Sequence, residues 1–492
     1  MRAYSSHYFF QSRYTSQKHS RMKSYPMNHK TLLPKLGLIF ASLSLSACVV
    51  GTDYVAPAAT VPQHWQNSSE NQQALNPDVL ATWWKSFNDP LLSQLVERGI
   101  KGNFDLKKAL ARINEARAQR SIAKSDFFPR INSSGSTGEN YNGTSDQRNG
   151  HYGLGLDATW EIDIFGRIAR SVESSQAAME ATEAGYQDVM VGLVAEIGLN
   201  YVQMRTSQAR LSVAERNMQT QEKLHNLTLW RWQAGLGTKL EVEQALSSVE
   251  QLRAQIPSLK TQIAQNQHQL ALLLGVAPAS LNAELNKVLP IPNPALKIAV
   301  GVPADVLRQR PDIRQAEREL AAQTAQIGVA TAAMYPKLAL SGSIGLDAIK
   351  ASNFFTAAGL VDSLLGKLTF PIFNAGAIRQ NIAVQNAKQE QALATYEATV
   401  LTALKDVENA LVGVAQEQQR LDDLNRALQA AQRAMDLAQN QYVSGLIDFQ
   451  NVQQTQRTLL SVQDQYASSQ GQVTSYMISL YKALGGGWKS LS

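Results

Sequence analysis

Two hydrophobic periods alternate along this chain. Between residues 152 and 164, Tyr152, Leu154, Leu156, Ala158, Trp160, Ile162 and Ile164 alternate with Gly153, Gly155, Asp157, Thr159, Glu161 and Asp163. A period of two puts one set on each face of a strand. Leu338, Leu340, Ile344 and Leu346 repeat the pattern, as do Leu364, Leu368, Phe370 and Ile372 around Lys367 and Thr369. The stretch Ile131–Tyr141 alternates less clearly and is read as a strand from its counterpart later in the chain. Strands are therefore predicted over 131–142, 151–165, 337–347 and 362–373.

Elsewhere the period is helical. Segments near 104–127 and 312–333 run into Phe128-Pro129 and Tyr335-Pro336, where proline cannot continue a helix. From Val400 the apolar positions Leu404, Val407, Leu411, Val414, Leu421, Leu424, Leu428, Ala431, Met435, Ala438 and Tyr442 are spaced by threes and fours, with one gap at Gln418. That is a coiled-coil seam six heptads long. Neither 166–234 nor 376–443 contains a proline, and nearly 70 residues at about 1.5 Å each make a rod of about 100 Å. Rods of that length must pack side by side in an extended bundle or tube.

These patterns occur twice. Asp105, Leu106, Ala109, Ala123, Pro129 and Gly135 lie 207 residues before Asp312, Ile313, Ala316, Ala330, Pro336 and Gly342. An offset of 210 joins Trp160, Ile162, Gly166, Gly235, Leu236, Val242, Gln244, Leu274 and Gly275 to Phe370, Ile372, Gly376, Gly445, Leu446, Val452, Gln454, Leu484 and Gly485. The predicted organisation is repeat 1 over 104–275, a linker over 276–311, repeat 2 over 312–485 and a tail over 486–492. Function is to be sought in what both repeats share.

The formal charge of +6 suggests a basic surface until its distribution is read. Residues 1–47 carry seven Lys/Arg and no Asp or Glu, so the remainder carries −1, and a nucleic-acid partner loses its electrostatic basis. Lys30 and Lys35 precede the apolar run Leu36–Ala47, which is too short to span a bilayer as a helix. Residues 1–47 read as a secretory signal, with Met27 a candidate start codon. Leu45-Ser46-Ala47-Cys48 has the form of a bacterial lipobox, which makes Cys48 the lipidation site and the new N-terminus of a segment 48–103. Val49 in place of Asp after it matches lipoproteins sent to the outer membrane.

Cys48 is the only cysteine, and His64, His151, His225 and His268 beyond the leader have no ligand-pair spacing, so no metal site, cofactor or catalytic constellation is expected. Strands of about ten residues with Gly-rich turns fit a transmembrane β-barrel, although half-buried soluble strands alternate too. Four strands cannot close a barrel, and open edges in hydrocarbon cost several kcal/mol per unpaired group. Two chains give eight strands and a filled interior; three give twelve and room for a pore.

The motifs Cys48-Val49-Val50-Gly51-Thr52-Asp53-Tyr54, Trp83-Trp84-Lys85-Ser86-Phe87 with Asp89-Pro90-Leu91-Leu92, Trp160 to Arg167, and Arg310-Pro311-Asp312-Ile313 resemble the outer-membrane factors, in their TolC/OprM-like lipoprotein branch, across 48–492. The resemblance implies a mixed α/β membrane protein: a homotrimer with a 12-stranded outer-membrane β-barrel, four strands per protomer, continued by a long periplasmic α-helical barrel. It implies the passive exit duct of a tripartite efflux pump, not an enzyme. Its partners would be outer-membrane lipid, a periplasmic adaptor and an inner-membrane transporter of the resistance–nodulation–division type. The turns Gly235-Leu236-Gly237-Thr238 and Gly445-Leu446-Ile447-Asp448 would dock the adaptor, and Gln450, Asn451 and Gln454 would form the periplasmic gate, with amides where the family usually carries carboxylates. Trp83, Trp84 and Arg310-Pro311-Asp312 read as structural. Two other readings stay open, a protein-secretion duct and a lipid-anchored coiled-coil scaffold of the envelope.

Overall fold

The computed structural model describes residues 49–58, 61–67, 77–144, 146–293 and 303–488. Contacts separate Met1–Cys48 from Val49–Ser492. The leader, and Cys48 with it, lies outside the described residues.

The second unit begins with short helical turns at Pro77–Ala81 and Trp83–Phe87, then α1 (Pro90–Gly102). Next come α2 (Phe104–Ser125), β1 (Arg130–Asn142), β2 (Gln147–Ile162), α3 (Arg167–Gln233) and α4 (Lys239–Leu273). A connector with short helices at Asn282–Leu285 and Pro303–Gln309 leads to α5 (Pro311–Ala332), β3 (Lys337–Ala348), β4 (Leu360–Thr369), α6 (Ala377–Val443) and α7 (Phe449–Ala483). Corresponding helices match in length: α2 and α5 have 22 residues, α3 and α6 have 67, α4 and α7 have 35. At about 1.5 Å per residue, α3 and α6 are each about 100 Å long.

Local chemistry sets the boundaries. Asp89 accepts from Leu92 N–H at 3.0 Å and Pro90 opens α1, while Asn103 caps α2 through Asp105 and Leu106 N–H at 2.8 and 3.0 Å. β1 and β3 start immediately after Pro129 and Pro336. β2 begins earlier than its apolar pattern predicts, because Gln147, Arg148 and Asn149 pair with Asn142, Tyr141 and Asn140 in the hairpin. It also ends earlier: Asp163 turns to accept from Ala169 N–H at 2.8 Å, so Ile164 and Phe165 serve the turn into α3. β4 runs over 360–369 rather than 362–373, since Pro371 has no N–H to give the ladder.

The strands form one antiparallel sheet in the order β1-β2-β3-β4. Register sorts its faces: Leu154, Leu156 and Ile162 lie opposite Leu346, Ile344 and Leu338 of β3, and Leu346 and Leu338 lie opposite Leu360 and Leu368. The other face carries Ser134–Asp157, Ser136–His151 and Ser343–Ser363 contacts at 3.3, 3.2 and 2.8 Å. Asp362 on the apolar face and Leu365 on the polar one depart from the pattern. Among the described residues nothing covers the apolar face, where Leu154, Leu156, Ile344, Leu364 and Leu368 are exposed.

The main core joins α1, α3 and α7. Trp83 is fully buried, stacks on Tyr481 at 5.3 Å and meets Phe87 edge-on at 5.6 Å, so the tryptophan pair is a packing anchor as expected. Along α6 the predicted seam holds, with Val407, Leu411, Ala431, Met435, Ala438 and Tyr442 buried. Its gap is filled by Glu417, a buried carboxylate that accepts from Ser469 Oγ at 2.6 Å and pairs with Arg420 at 3.0 Å. Among the described residues no helix is long and apolar enough to cross a membrane.

Candidate functional site

The two helix–helix turns meet at one end of the bundle. Leu224 of α3, Ala245 of α4, Met435 and Tyr442 of α6, and Phe449, Val452 and Leu459 of α7 form one buried cluster there, with Ile447 packed against it. Each turn closes the same way. Gly235 and Gly445 have φ of +70° and +73°, Leu236 N–H reaches Arg231 O, and Leu446 N–H reaches Gln441 O, both at 2.8 Å. A Cβ added at either glycine would meet nothing within 4 Å, so only the left-handed backbone demands glycine. Leu236 and Leu446 stand 67 and 74 % exposed at the tips.

The returning helices start differently. Thr238 caps α4, accepting from Glu241 N–H at 3.3 Å while Glu241 reaches back to Thr238 N–H at 3.5 Å. Asp448 holds the matching position before α7 but makes no side-chain cap. Instead, Asn451 N–H is taken by the Asp448 backbone oxygen at 3.1 Å. A link between the helix pairs, not visible in the sequence, runs through Tyr442. Its hydroxyl donates to Glu241 Oε2 at 3.5 Å and its ring lies 4.7 Å below the Arg231 guanidinium. Burial, then Glu241, raises the Tyr442 pKa against the opposing pull of Arg231.

Gln450, Asn451 and Gln454 are all exposed on α7, whereas Phe449, Val452, Gln453 and Gln456 are buried. Gln453 is spent on packing: its Nε2 donates to Gln244 O at 3.1 Å and to Ser248 Oγ at 3.3 Å. The three amides thus share the outward side of their helix.

At the opposite end, where sheet meets helices, the segment after Cys48 is strapped down. Val50 N–H bonds Phe165 O at 3.2 Å. The buried Arg170 donates to Val50 O, Gly51 O and Asp53 Oδ1 at 3.2, 3.3 and 2.7 Å. Gly51 lies so close to Gly328 that a Cβ would come within 2.6 Å of its Cα. Farther along, Tyr54 donates to Glu317 at 3.2 Å, and burial, reinforced by Glu317, pushes its hydroxyl pKa up to about 12. Arg310 precedes α5 and joins the halves. It chelates Asp312 at 3.0 and 2.6 Å and donates to Ala483 O, the end of α7, at 2.9 Å. Asp406 stands 3.6 Å from it, and crowding by the surrounding protein and Asp312 raise the pKa of nearby Asp188.

A family model described as "Outer membrane efflux protein" matches residues 95–276 and 302–486. The chain belongs to this family. The outer-membrane efflux protein is 33% identical over 467 residues to nodulation protein T of Rhizobium leguminosarum bv. trifolii, covering 92% of this chain and 97% of the relative. It is 31% identical over 462 residues to the solvent efflux pump outer membrane protein SrpC of Pseudomonas putida, with coverage of 92% and 97%. The solved outer-membrane channel OprN superposes with a TM-score of 0.83 at 36% identity, over 90% of this chain and 100% of that one. The protein is accordingly an outer-membrane channel and the exit duct of an efflux pump.

Proposed function

We propose that three copies of this chain close a 12-stranded β-barrel in the outer membrane and extend it as a periplasmic tube of long helices. The observation that carries this is the sheet: among the described residues its four strands leave the outer edges of β1 and β4 unpaired and the apolar face uncovered. Backbone groups along those edges need partners in hydrocarbon, and a second and third sheet supply them. The apolar face then meets lipid and the Ser-, Asp- and Lys-bearing face meets water. The equal helix lengths on either side of the connector support a tandem duplication.

Cys48 carries the lipid in this reading. The strap supports it, since Val49 packs on Gly166 at the foot of β2, where the bilayer edge would lie. The turns at Gly235–Thr238 and Gly445–Asp448 dock a periplasmic adaptor, which joins the tube to an inner-membrane transporter of the resistance–nodulation–division type. Gln450, Asn451 and Gln454 narrow the resting bore by size and hydrogen bonding rather than by charge. The cargo is drugs or other small toxic compounds, in keeping with a relative named for solvent efflux.

The test is a deletion strain on a drug and metal susceptibility panel, paired with cysteine crosslinking to the adaptor from positions 235 and 445. The reading expects sensitivity to several small toxic compounds, a crosslink from both turns and a heat-resistant trimer that conducts ions in planar bilayers. A purified mature protein that remains monomeric and never conducts would overturn it.

A further inference from the structure

Beneath the connector, α3, α6 and α7 line an open cavity of about 800 Å³, with Val288, Leu289 and Pro290 on its connector side. That volume lies within the range of pockets for drug-sized ligands. Its walls are mixed in an ordered way. Val213, Leu428 and Ala467 offer apolar surface, and Val288 stays 63 % exposed on the connector side. Two guanidinium groups, Arg216 from α3 and Arg433 from α6, border the same space.

Both arginines are exposed. Arg216 spends one nitrogen on Ser212 Oγ at 2.8 Å, and no carboxylate lies within 4 Å of either group among the described residues. Arg210, six residues before Arg216, shows the contrast: it is held by both oxygens of Asp464 at 2.7 and 3.1 Å. Ser212, Gln429, Gln432, Gln463 and Gln470 line the rest of the space, and a mixed apolar and amide surface whose only charged lining residues are two exposed arginines is complementary to a molecule with a hydrophobic body and an anionic head. Arginine's planar fork suits a carboxylate or sulfonate.

We propose that this cavity binds an amphipathic organic anion, its acyl or aromatic body among Leu289, Leu428 and Ala467 and its acid group between Arg216 and Arg433. Such an occupant ties the connector to three helices at once and stiffens the bundle where the halves of the chain meet. This site is separate from the turns and from the proposed bore-lining amides.

The full-length mature protein, purified in a non-ionic maltoside, is crystallised and soaked with 4-iodobenzoate or its neutral counterpart 4-iodobenzamide, and both are titrated calorimetrically. Expected are an anomalous iodine peak in the cavity with the acid, and binding at least about tenfold weaker for the amide. The same loss is expected of the acid on the double variant Arg216→Gln, Arg433→Gln, following the strength of charge-assisted hydrogen bonds. No iodine in the cavity, equal affinity for acid and amide, or side chains of a neighbouring subunit filling the space would each overturn the assignment. The amide comparison uses unmodified protein, so it decides the matter even if the double variant fails to fold.

Discussion

Single residues at the turns divide into those that hold backbone shape and those that hold contacts. At Gly235 and Gly445 space is open and φ is positive, so Ala costs about 1–2 kcal/mol from backbone strain alone, and Asn recovers part of it. Denaturation midpoints of Gly445→Ala and Gly445→Asn check this; equal losses for both would show that more than backbone conformation is involved. Thr238 and Asp448 occupy equivalent places but only Thr238 caps, so Thr238→Ala should cost about 1 kcal/mol and Asp448→Ala close to nothing. The sequence shows two capping-type residues at one offset and does not distinguish them, because capping depends on the side-chain rotamer. Asp188 gives a pH signature. Asp188 is exposed, yet crowding by the surrounding protein and Asp312 raise its folded-state pKa against the opposing pull of Arg310 and Lys482, so it takes up a proton more readily folded than unfolded, and its penalty is present above its folded pKa and lifts as pH falls through it. Asp188→Asn should therefore raise the thermal midpoint at neutral pH, with the gain shrinking in acid. A gain that persists unchanged at low pH would count against the ionised carboxylate as its source.

Among the elements, the sheet makes the sharpest prediction. Leu364 sits on the apolar face opposite Gly342, while its neighbour Ser363 faces Ser343 on the polar side. Leu364→Arg should cost about 2–4 kcal/mol of membrane assembly if placed near the bilayer midplane, and Ser363→Arg far less. Heat-modified gel mobility of outer-membrane fractions reads the difference; equal assembly of both variants would remove the lipid-facing assignment. Strand identity was legible from the two-residue period, yet the ends were not. Asp163 belongs to the start of α3 and Pro371 closes β4, and neither role alters the alternation itself. The helical seam was likewise readable except at Glu417, where a carboxylate takes an apolar position because Ser469 and Arg420 surround it.

For the whole molecule, Gln454→Ala should raise single-channel conductance or drug sensitivity, and unchanged conductance for Gln450→Ala, Asn451→Ala and Gln454→Ala alike would remove the amide gate. By itself the sequence determined the alternating strands, the two proline-free rods and the offset of 210 that pairs the turns. Each of these is a periodic or local signal, and hydrophobic spacing and proline or glycine chemistry act on near neighbours. Only the tertiary structure decided which distant groups meet: Arg231 with Tyr442 and Glu241 between helix pairs, Arg310 with Ala483 across the halves, and Arg170 on the strap behind Cys48. It also decided that Arg216 and Arg433 border one open cavity, with no carboxylate paired to either among the described residues. These partners lie tens to hundreds of residues apart, and no period along the chain encodes which side chains will face each other once long helices are laid side by side.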